Sequence, residues 1–352
     1  VNQPPIKGRG APANPAGRFE RLALELEPEE WPDPDERDRA GRTECYRDTS
    51  KSILTRNDSP DVPMEVTVNP YRGCEHGCIY CYARPYHEYL GLSAGLDFEQ
   101  KIFVKTDAAT LLRAELASPK WVPTHIGLSG VTDPYQPVER SFRLSRACLE
   151  ALAEFRNPVA VITKNHLVTR DIDVLRELAE VDAAQVFLSI TTLDEGLANV
   201  MEPRASTPQR RLDAVRTLAQ AGIPVGVMVA PIIPGLTDHE VPAILAAAAQ
   251  AGAFTAGHNV VRLPHGVKDL FAEWLAVHAP DRRDKVLNRL RSMRDGALND
   301  SAFGSRMVGS GPFADAIHHM FDLHRRKNGL TAKRRLSTAA FRRPGGTQAS
   351  LF

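Results

Sequence analysis

The chain has little cysteine, few aromatics, no long apolar run and almost no net charge. Its 352 residues hold five cysteines, three tryptophans and 7% aromatic residues, with a formal charge of +1. Five cysteines in a chain this long make no disulfide framework, so a reducing, cytoplasmic setting is the expectation. Without an apolar run near the roughly 20 residues of a membrane span, no membrane partner is expected. The Pro/Gly/Ala-rich start "VNQPPIKGRGAPANPAGRF" lacks the apolar segment of a secretory signal. Near-neutral charge gives no overall steer toward nucleic acid, so any such steer is local.

What is present is a repeat. From Glu65 onward, short apolar runs alternate with amphipathic stretches: "EVTVN", "HIGLSG", "VAVIT", "QVFLSIT", "PVGVMVAPI" and "HNVVRL" read as strands. Between them, "AATLLRAELA", "LSRACLEALAEF", "DIDVLRELAE", "PQRRLDAVRTLAQAG", "VPAILAAAAQAG" and "KDLFAEWLAVHA" carry apolar residues at helical spacing. Thr207 before Pro208 reads as an N-cap and first-turn proline, with Gly222 ending that helix. Repeated strand–helix units imply a parallel sheet, either doubly wound or a partial (β/α)6 TIM-like barrel. In either arrangement the chemistry belongs at the C-terminal ends of the strands.

The expected organisation follows from composition. Residues 1–45 read as a disordered N-terminal tail and 46–280 as the α/β domain, with a special loop at 70–86. Residues 281–328 read as a helical C-terminal extension, and 329–352 as a flexible basic tail. The tail's arginines and lysines are a potential nucleic-acid grip, although only Phe341 and Phe352 could stack there.

Three of the five cysteines fall within eight positions, in "GCEHGCIYC" directly after the first strand. Cys74, Cys78 and Cys81 at C-x3-C-x2-C can bind zinc or an iron–sulfur cluster. Structural zinc wants four ligands, and only His76 or His87 is near enough in sequence to be the fourth. A buried structural role is disfavoured, because Gly73, Glu75, His76, Gly77 and Arg84 look polar and flexible. Cys45 and Cys148 stand alone.

Three thiolates on four irons leave one iron open. This spacing, with Tyr80 before the last cysteine, resembles the radical S-adenosylmethionine superfamily. That resemblance implies a [4Fe-4S] cluster on Cys74, Cys78 and Cys81, whose open iron chelates S-adenosylmethionine. Reductive cleavage to methionine and a 5′-deoxyadenosyl radical would then follow, fed by an external reductant of flavodoxin or ferredoxin type. Rival readings are a zinc-binding nucleic-acid module and a non-catalytic iron–sulfur electron carrier.

From about Pro60 to Gly252 the chain further resembles the spore photoproduct lyase, or DNA repair photolyase-like, branch. The matching pieces include "GVTDPYQPVE", "VITKNHLVTRDIDVL" and "MEPRASTPQRRLDAV". By that analogy Lys164 and Ser189 hold the cofactor, Thr132 and Asp133 meet its amino group, and Glu202, Arg204 and Arg211 reach its ribose or carboxylate. Tyr80 would pack on the adenine and Tyr82 would act in radical transfer. Blander accounts stay open for each: a solvated lysine, an Asp-Pro turn, a local ion pair. One departure stands out. Val131 occupies the position where the lyases carry a hydrogen-donating cysteine. The implied substrate is therefore open, with nucleic acid or a modified nucleoside the leading class.

Overall fold

The computed structural model describes residue 6 and residues 8–19 and 42–344. Ten strands form among them: β1 (Glu44–Arg47), β2 (Leu54–Arg56), β3 (Val66–Val68), β4 (Tyr71–Arg72), β5 (Lys101–Val104), β6 (Ile126–Leu128), β7 (Val159–Thr163), β8 (Ala184–Ser189), β9 (Val225–Ile232) and β10 (Thr255–Val260). The main sheet runs β10-β9-β8-β7-β6-β3-β2, and every pair from β3 to β10 is parallel. Its order follows the chain without reversal. A doubly wound sheet would place its first strand inside and reverse direction at a switch point. Here β3 and β10 lie toward opposite ends, which is the partial (β/α)6 barrel. Two features were not legible beforehand: β2 adds an antiparallel edge, and β1, β5 and β4 form a separate small sheet.

The repeat forms because each crossover helix buries one face. Leu144–Phe155 places Leu144, Cys148, Leu149, Leu152 and Phe155 inward at helical spacing. Cys148 is fully buried there as a small apolar side chain. Thr207 does cap Pro208–Gln220, accepting from the Arg210 amide, and Gly222 adopts φ +80° at its end. The extension contributes the helices Pro280–Ser292 and Pro312–Lys327. Between them, Arg306 Nε donates to Asp61 at 2.6 Å and the Gly304 amide donates to Asp61 at 2.8 Å. The Val260 amide donates to Met307 at 2.8 Å. This stretch thus ties β10 to the turn after β2, across the gap between the sheet's edges.

Both tail expectations need correction. Residues 8–19 are not a loose tail: they strap across the cysteine loop. The Gly10 and Ala11 amides donate to the two oxygens of the buried Glu99 carboxylate at 2.9 and 2.8 Å. Arg9 Nη1 donates to the Glu99 carbonyl at 2.6 Å, and the Leu96 amide reaches Ala13. The composition was right for low apolar content, but backbone amides and one arginine supply the binding instead. Residues 20–41 lie outside the described residues.

The basic segment is also docked through residue 344. Thr331 bridges Thr255, the Ser337 amide donates to Asp182, and the Arg342 amide donates to Phe155. Arg343 Nη2 donates to the Trp121 carbonyl at 2.9 Å, and Phe341 packs on Phe155. These partners precede or begin β6, β7, β8 and β10. The segment therefore buttresses the N-terminal end of the barrel, opposite the cysteines. Residues 345–352 lie outside the described residues.

The strap yields a test. A Cβ on Gly10 would sit 1.8 Å from the Gly77 carbonyl oxygen, so no side chain fits. Gly10→Ala should cost on the order of 1–3 kcal/mol and expose the amides of residues 8–19 to hydrogen exchange. Unchanged exchange in that segment would contradict the close approach.

Candidate active site

The cysteine loop leaves β4 through Gly73 and turns again at Gly77, both with left-handed φ of +80° and +64°. These glycines let the chain double back between Cys74 and Cys78. Cys74 and Cys78 are buried, and Cys81 is half-buried. The loop is polar, as its sequence says, and buried side chains tie down its backbone. Arg84 is fully buried and uses all five N–H groups. Nε donates to Cys78 O, Nη1 to Ala94 O and Gly95 O, and Nη2 to Gly77 O and to Glu99 Oε1 at 2.6 Å.

Glu75 and Gln136 tie the loop to the segment after β6. Gln136 accepts from the Glu75 amide at 2.9 Å and donates to Gly73 O at 3.1 Å. Glu75 Oε2 accepts from the Val138 amide at 2.6 Å, while Oε1 meets Thr43 and, at 3.2 Å, Arg204. Arg204 is thereby a brace from the loop to residue 43.

Asp133 fills a bracing role too. Its oxygens accept from the Tyr135 amide, Thr163 Oγ1 and the Lys164 amide at 2.8, 2.6 and 2.7 Å. The His76 ring stands 3.3 Å away. Burial opposes ionisation, yet His76 and these donors hold the carboxyl below the usual range. Asn165 Oδ1 accepts from Leu167 and Ser206, which leaves its Nδ2 to donate to His76 Nε2 at 3.2 Å. Both ring nitrogens of His76 are thus engaged. His87 Nε2 donates to Lys101 O at 2.9 Å, and burial lowers that ring to about 4. Thr132 differs: its buried hydroxyl has no partner among the described residues.

Glu202 and Arg211 are locked on each other. Glu202 Oε1 accepts from the Tyr80 hydroxyl and from Thr191 Oγ1 at 2.9 Å, and Oε2 accepts from Arg211 Nη2. Arg211 also donates to Ser206 O at 2.7 Å and Ser189 O at 3.1 Å. Burial opposes the Glu202 charge, but Arg211, Lys164 and Tyr80 bring the carboxyl to about 2. The analogy placed Glu202 and Arg211 at the cofactor's ribose or carboxylate, with a local ion pair as the blander account. In the structure they form a buried pair that orients Tyr80.

Lys164 and Ser189 remain available. Lys164 Nζ has one long contact, to Ala230 O at 3.4 Å, and lies 5.8 Å from the Tyr80 ring centre. Its charge acts on Cys78, Cys81 and Glu202 together. Ser189 ends β8 on the same face. Tyr82 is exposed, donates to Gly130 O at 2.5 Å, and lies under Arg262. Sequence reading missed Arg84, Glu99, Gln136 and Asn165. "YQP" beside "TDP", and an arginine three residues past Cys81, were the available signals.

The donor set fits an iron–sulfur cluster. Burial, and then the carboxylates of Asp133 and Glu202, push the Cys74 and Cys78 thiols up. A metal cluster offsets that penalty, since coordination deprotonates a thiol. Among the described residues, no three His, Cys, Asp or Glu side chains are placed to hold one ion. Thiolates that each take a separate iron suit this arrangement.

Glu202→Gln leaves Arg211 buried without a counter-ion and should cost about 3–5 kcal/mol. The depressed carboxyl stabilises the fold above its ordinary value near 4.5, and that contribution is lost as pH falls toward about 2. Urea denaturation across this range should show the loss in the wild type and not in the variant.

A family comparison matches the Radical SAM superfamily over residues 68–248, just over half of the chain. An uncharacterised protein of Mycobacterium tuberculosis is 37% identical over 234 residues, 66% of this chain and 69% of that protein. The Radical SAM Nalpha-GlyT isomerase of Pseudomonas phage M6 is 25% identical over 197 residues, 55% of this chain and 39% of that one. Among solved structures, a spore photoproduct lyase variant superposes with a TM-score of 0.56 at 16% identity, covering 81% of this chain and 80% of that one. The lyase complexed with dinucleoside spore photoproduct gives a TM-score of 0.55 at 16% identity, covering 80% and 78%. Those structural likenesses show the fold alone. The family uses a [4Fe-4S] cluster and S-adenosylmethionine and draws electrons from an external reductant. On its cysteine motif, its barrel and the family match across half its length, the chain belongs to the radical S-adenosylmethionine superfamily.

Proposed function

We propose that this chain is a radical enzyme whose 5′-deoxyadenosyl radical removes a hydrogen atom from a nucleic acid or a modified nucleoside. The observation that carries the reading is the loop of Cys74, Cys78 and Cys81, braced at the C-terminal mouth of the barrel beside Lys164, which has no carboxylate partner among the described residues. Cys74, Cys78 and Cys81 would hold the cluster, which when bound supplies the electron that cleaves S-adenosylmethionine.

The chain's own residues do the rest. Lys164, lacking a carboxylate partner among the described residues, offers its charge to the cofactor's carboxylate. Ser189 and the unpartnered Thr132 hydroxyl offer acceptors to an ammonium group. Tyr80, fixed by Glu202 and Thr191, presents a rigid ring that helps exclude water. Tyr82 lies at the exposed rim, where it suits a role toward substrate. Support for a nucleic-acid substrate comes from neighbours: the lyase is solved with dinucleoside spore photoproduct, and the phage relative is named for Nalpha-GlyT. It no longer comes from the basic segment, whose described part is docked at the far end of the barrel.

The test is anaerobic reconstitution with iron and sulfide, reduction, and measurement of 5′-deoxyadenosine. Wild type should bind iron and release 5′-deoxyadenosine. Replacing any of Cys74, Cys78 or Cys81 by Ala should abolish both, whereas Cys45→Ala and Cys148→Ala should leave both intact. Zinc in place of iron, or a stable cluster with no 5′-deoxyadenosine, would favour the rival readings.

This chain is not proposed to be a spore photoproduct lyase. Val131 packs with Cys81 against the small apolar group of Cys74, Ala83 and Phe98, and its amide donates to Asn69 Oδ1 at 3.1 Å. A valine C–H cannot return hydrogen as a thiol does. Reduced enzyme given a dinucleoside spore photoproduct should make 5′-deoxyadenosine and little intact thymine. Multiple-turnover repair would overturn this.

A further inference from the structure

The mouth of the barrel carries a guanidinium without a counter-ion. Arg262 stands two residues beyond β10 and forms no ion pair among the described residues. Its Nη1 meets only the Met307 sulfur, at 3.8 Å, and its buried Nε has no acceptor.

Arg294 lies behind it, 4% exposed, with Nη2 donating to Val261 O at 2.6 Å and Nη1 to Arg306 O at 3.4 Å. Its Nε also lacks an acceptor. Nearby carboxylates are engaged elsewhere: Asp61 accepts from Arg306 and Gly304, and Asp300 from Ser305 and Ala302. Burying a guanidinium without a partner is costly. Burial lowers the affinity of Arg262 and Arg294 for their protons, and Asp61 and Asp300 offset this only in part. A bound anion relieves this cost.

The surroundings say which anion. Arg262 Cζ lies 5.7 Å from the Tyr82 ring centre, and Tyr82 is 47% exposed. Tyr86, Tyr89 and Phe19 are exposed as well, with Tyr86 6.3 Å and Phe19 5.1 Å from Tyr89, centre to centre. Arg18 already lies over the Phe19 and Tyr89 rings, at 5.0 and 5.9 Å, so the exposed ring beside Arg262 is Tyr82. A cation beside an exposed ring is how proteins hold a single nucleic-acid strand, with phosphate on the charge and base on the ring. We propose that Arg262, backed by Arg294 at the end of β10, receives a phosphodiester of a single-stranded nucleic-acid substrate, while Tyr82 offers its face to the adjoining base. This deepens the reading above and rests on it for the face by which substrate enters.

The experiment is anisotropy titration of the cluster-reconstituted full chain with a labelled oligothymidylate about ten nucleotides long, in rising salt. Binding needs no reductant, so its outcome is separate from whether S-adenosylmethionine is cleaved. Arg262→Gln should weaken binding about tenfold and reduce the slope of log affinity against log salt by about 0.7. Arg262→Lys should restore most of the slope. An uncharged methylphosphonate version should bind wild type less tightly and be indifferent to Arg262→Gln. This wild-type comparison decides the matter even if Arg262→Gln misfolds, which its iron content and thermal unfolding would reveal. Equal affinity and slope in the Gln variant would overturn the proposal. So would equal binding of charged and uncharged strands, or wild-type preference for polyglutamate over the oligonucleotide.

Discussion

Everything at the mouth of this barrel depends on one buried ion pair. Arg84 and Glu99 meet at 2.6 Å, both fully excluded from solvent. Such a pair does not stabilise by charge alone, because desolvation cancels much of the attraction. Its value lies in the hydrogen bonds each partner has left. Arg84 gathers the carbonyls of Gly77, Cys78, Ala94 and Gly95, and Glu99 gathers the amides of Gly10 and Ala11. The cysteine loop, the segment that follows it and the N-terminal strap thus close around a single polar knot. A loop this polar would otherwise leave its backbone groups unpaired, and it could not hold three sulfurs in place.

Two more carboxylates extend the same logic to the ends of the strands. Asp133 joins the loop after β6 to β7 and, through His76, to the cysteine loop. Glu202 joins Tyr80 and Thr191 to Arg211, which grips the last carbonyl of β8. Each is fully used within the protein. Lys164, Ser189, Thr132 and Arg262 lack such carboxylate or hydrogen-bond closure among the described residues, and they are the groups proposed above to meet ligands.

The incomplete barrel creates a second constraint. β10 and β2 do not pair, and exposed edges invite other strands. Residues 304–307 cross that gap by bonding Val260 and Asp61, and this places Arg306 and Arg294 behind Arg262. At the opposite end, residues 331–343 cover the starts of β6, β7, β8 and β10. The helical extension and the basic segment therefore complete the barrel rather than append to it.

Sequence alone determined the repeat, the strand–helix alternation, the cysteine spacing and the buried place of Cys148. Each is local: periodicity of two or 3.6 residues, or ligands within eight positions, is written along the chain. Resemblance singled out Lys164 and Ser189, and the structure puts Lys164 directly after β7 and Ser189 at the C-terminal end of β8. Tertiary structure decided the rest. No local pattern says that Gly10 touches Gly77, that Arg211 reaches both Glu202 and the Ser189 carbonyl, or that Arg343 reaches Trp121. Those pairings join residues brought together only when the sheet curves. A carboxylate or guanidinium reads the same in sequence whether its partner is the protein or a ligand, since only burial and the three-dimensional neighbour count distinguish them.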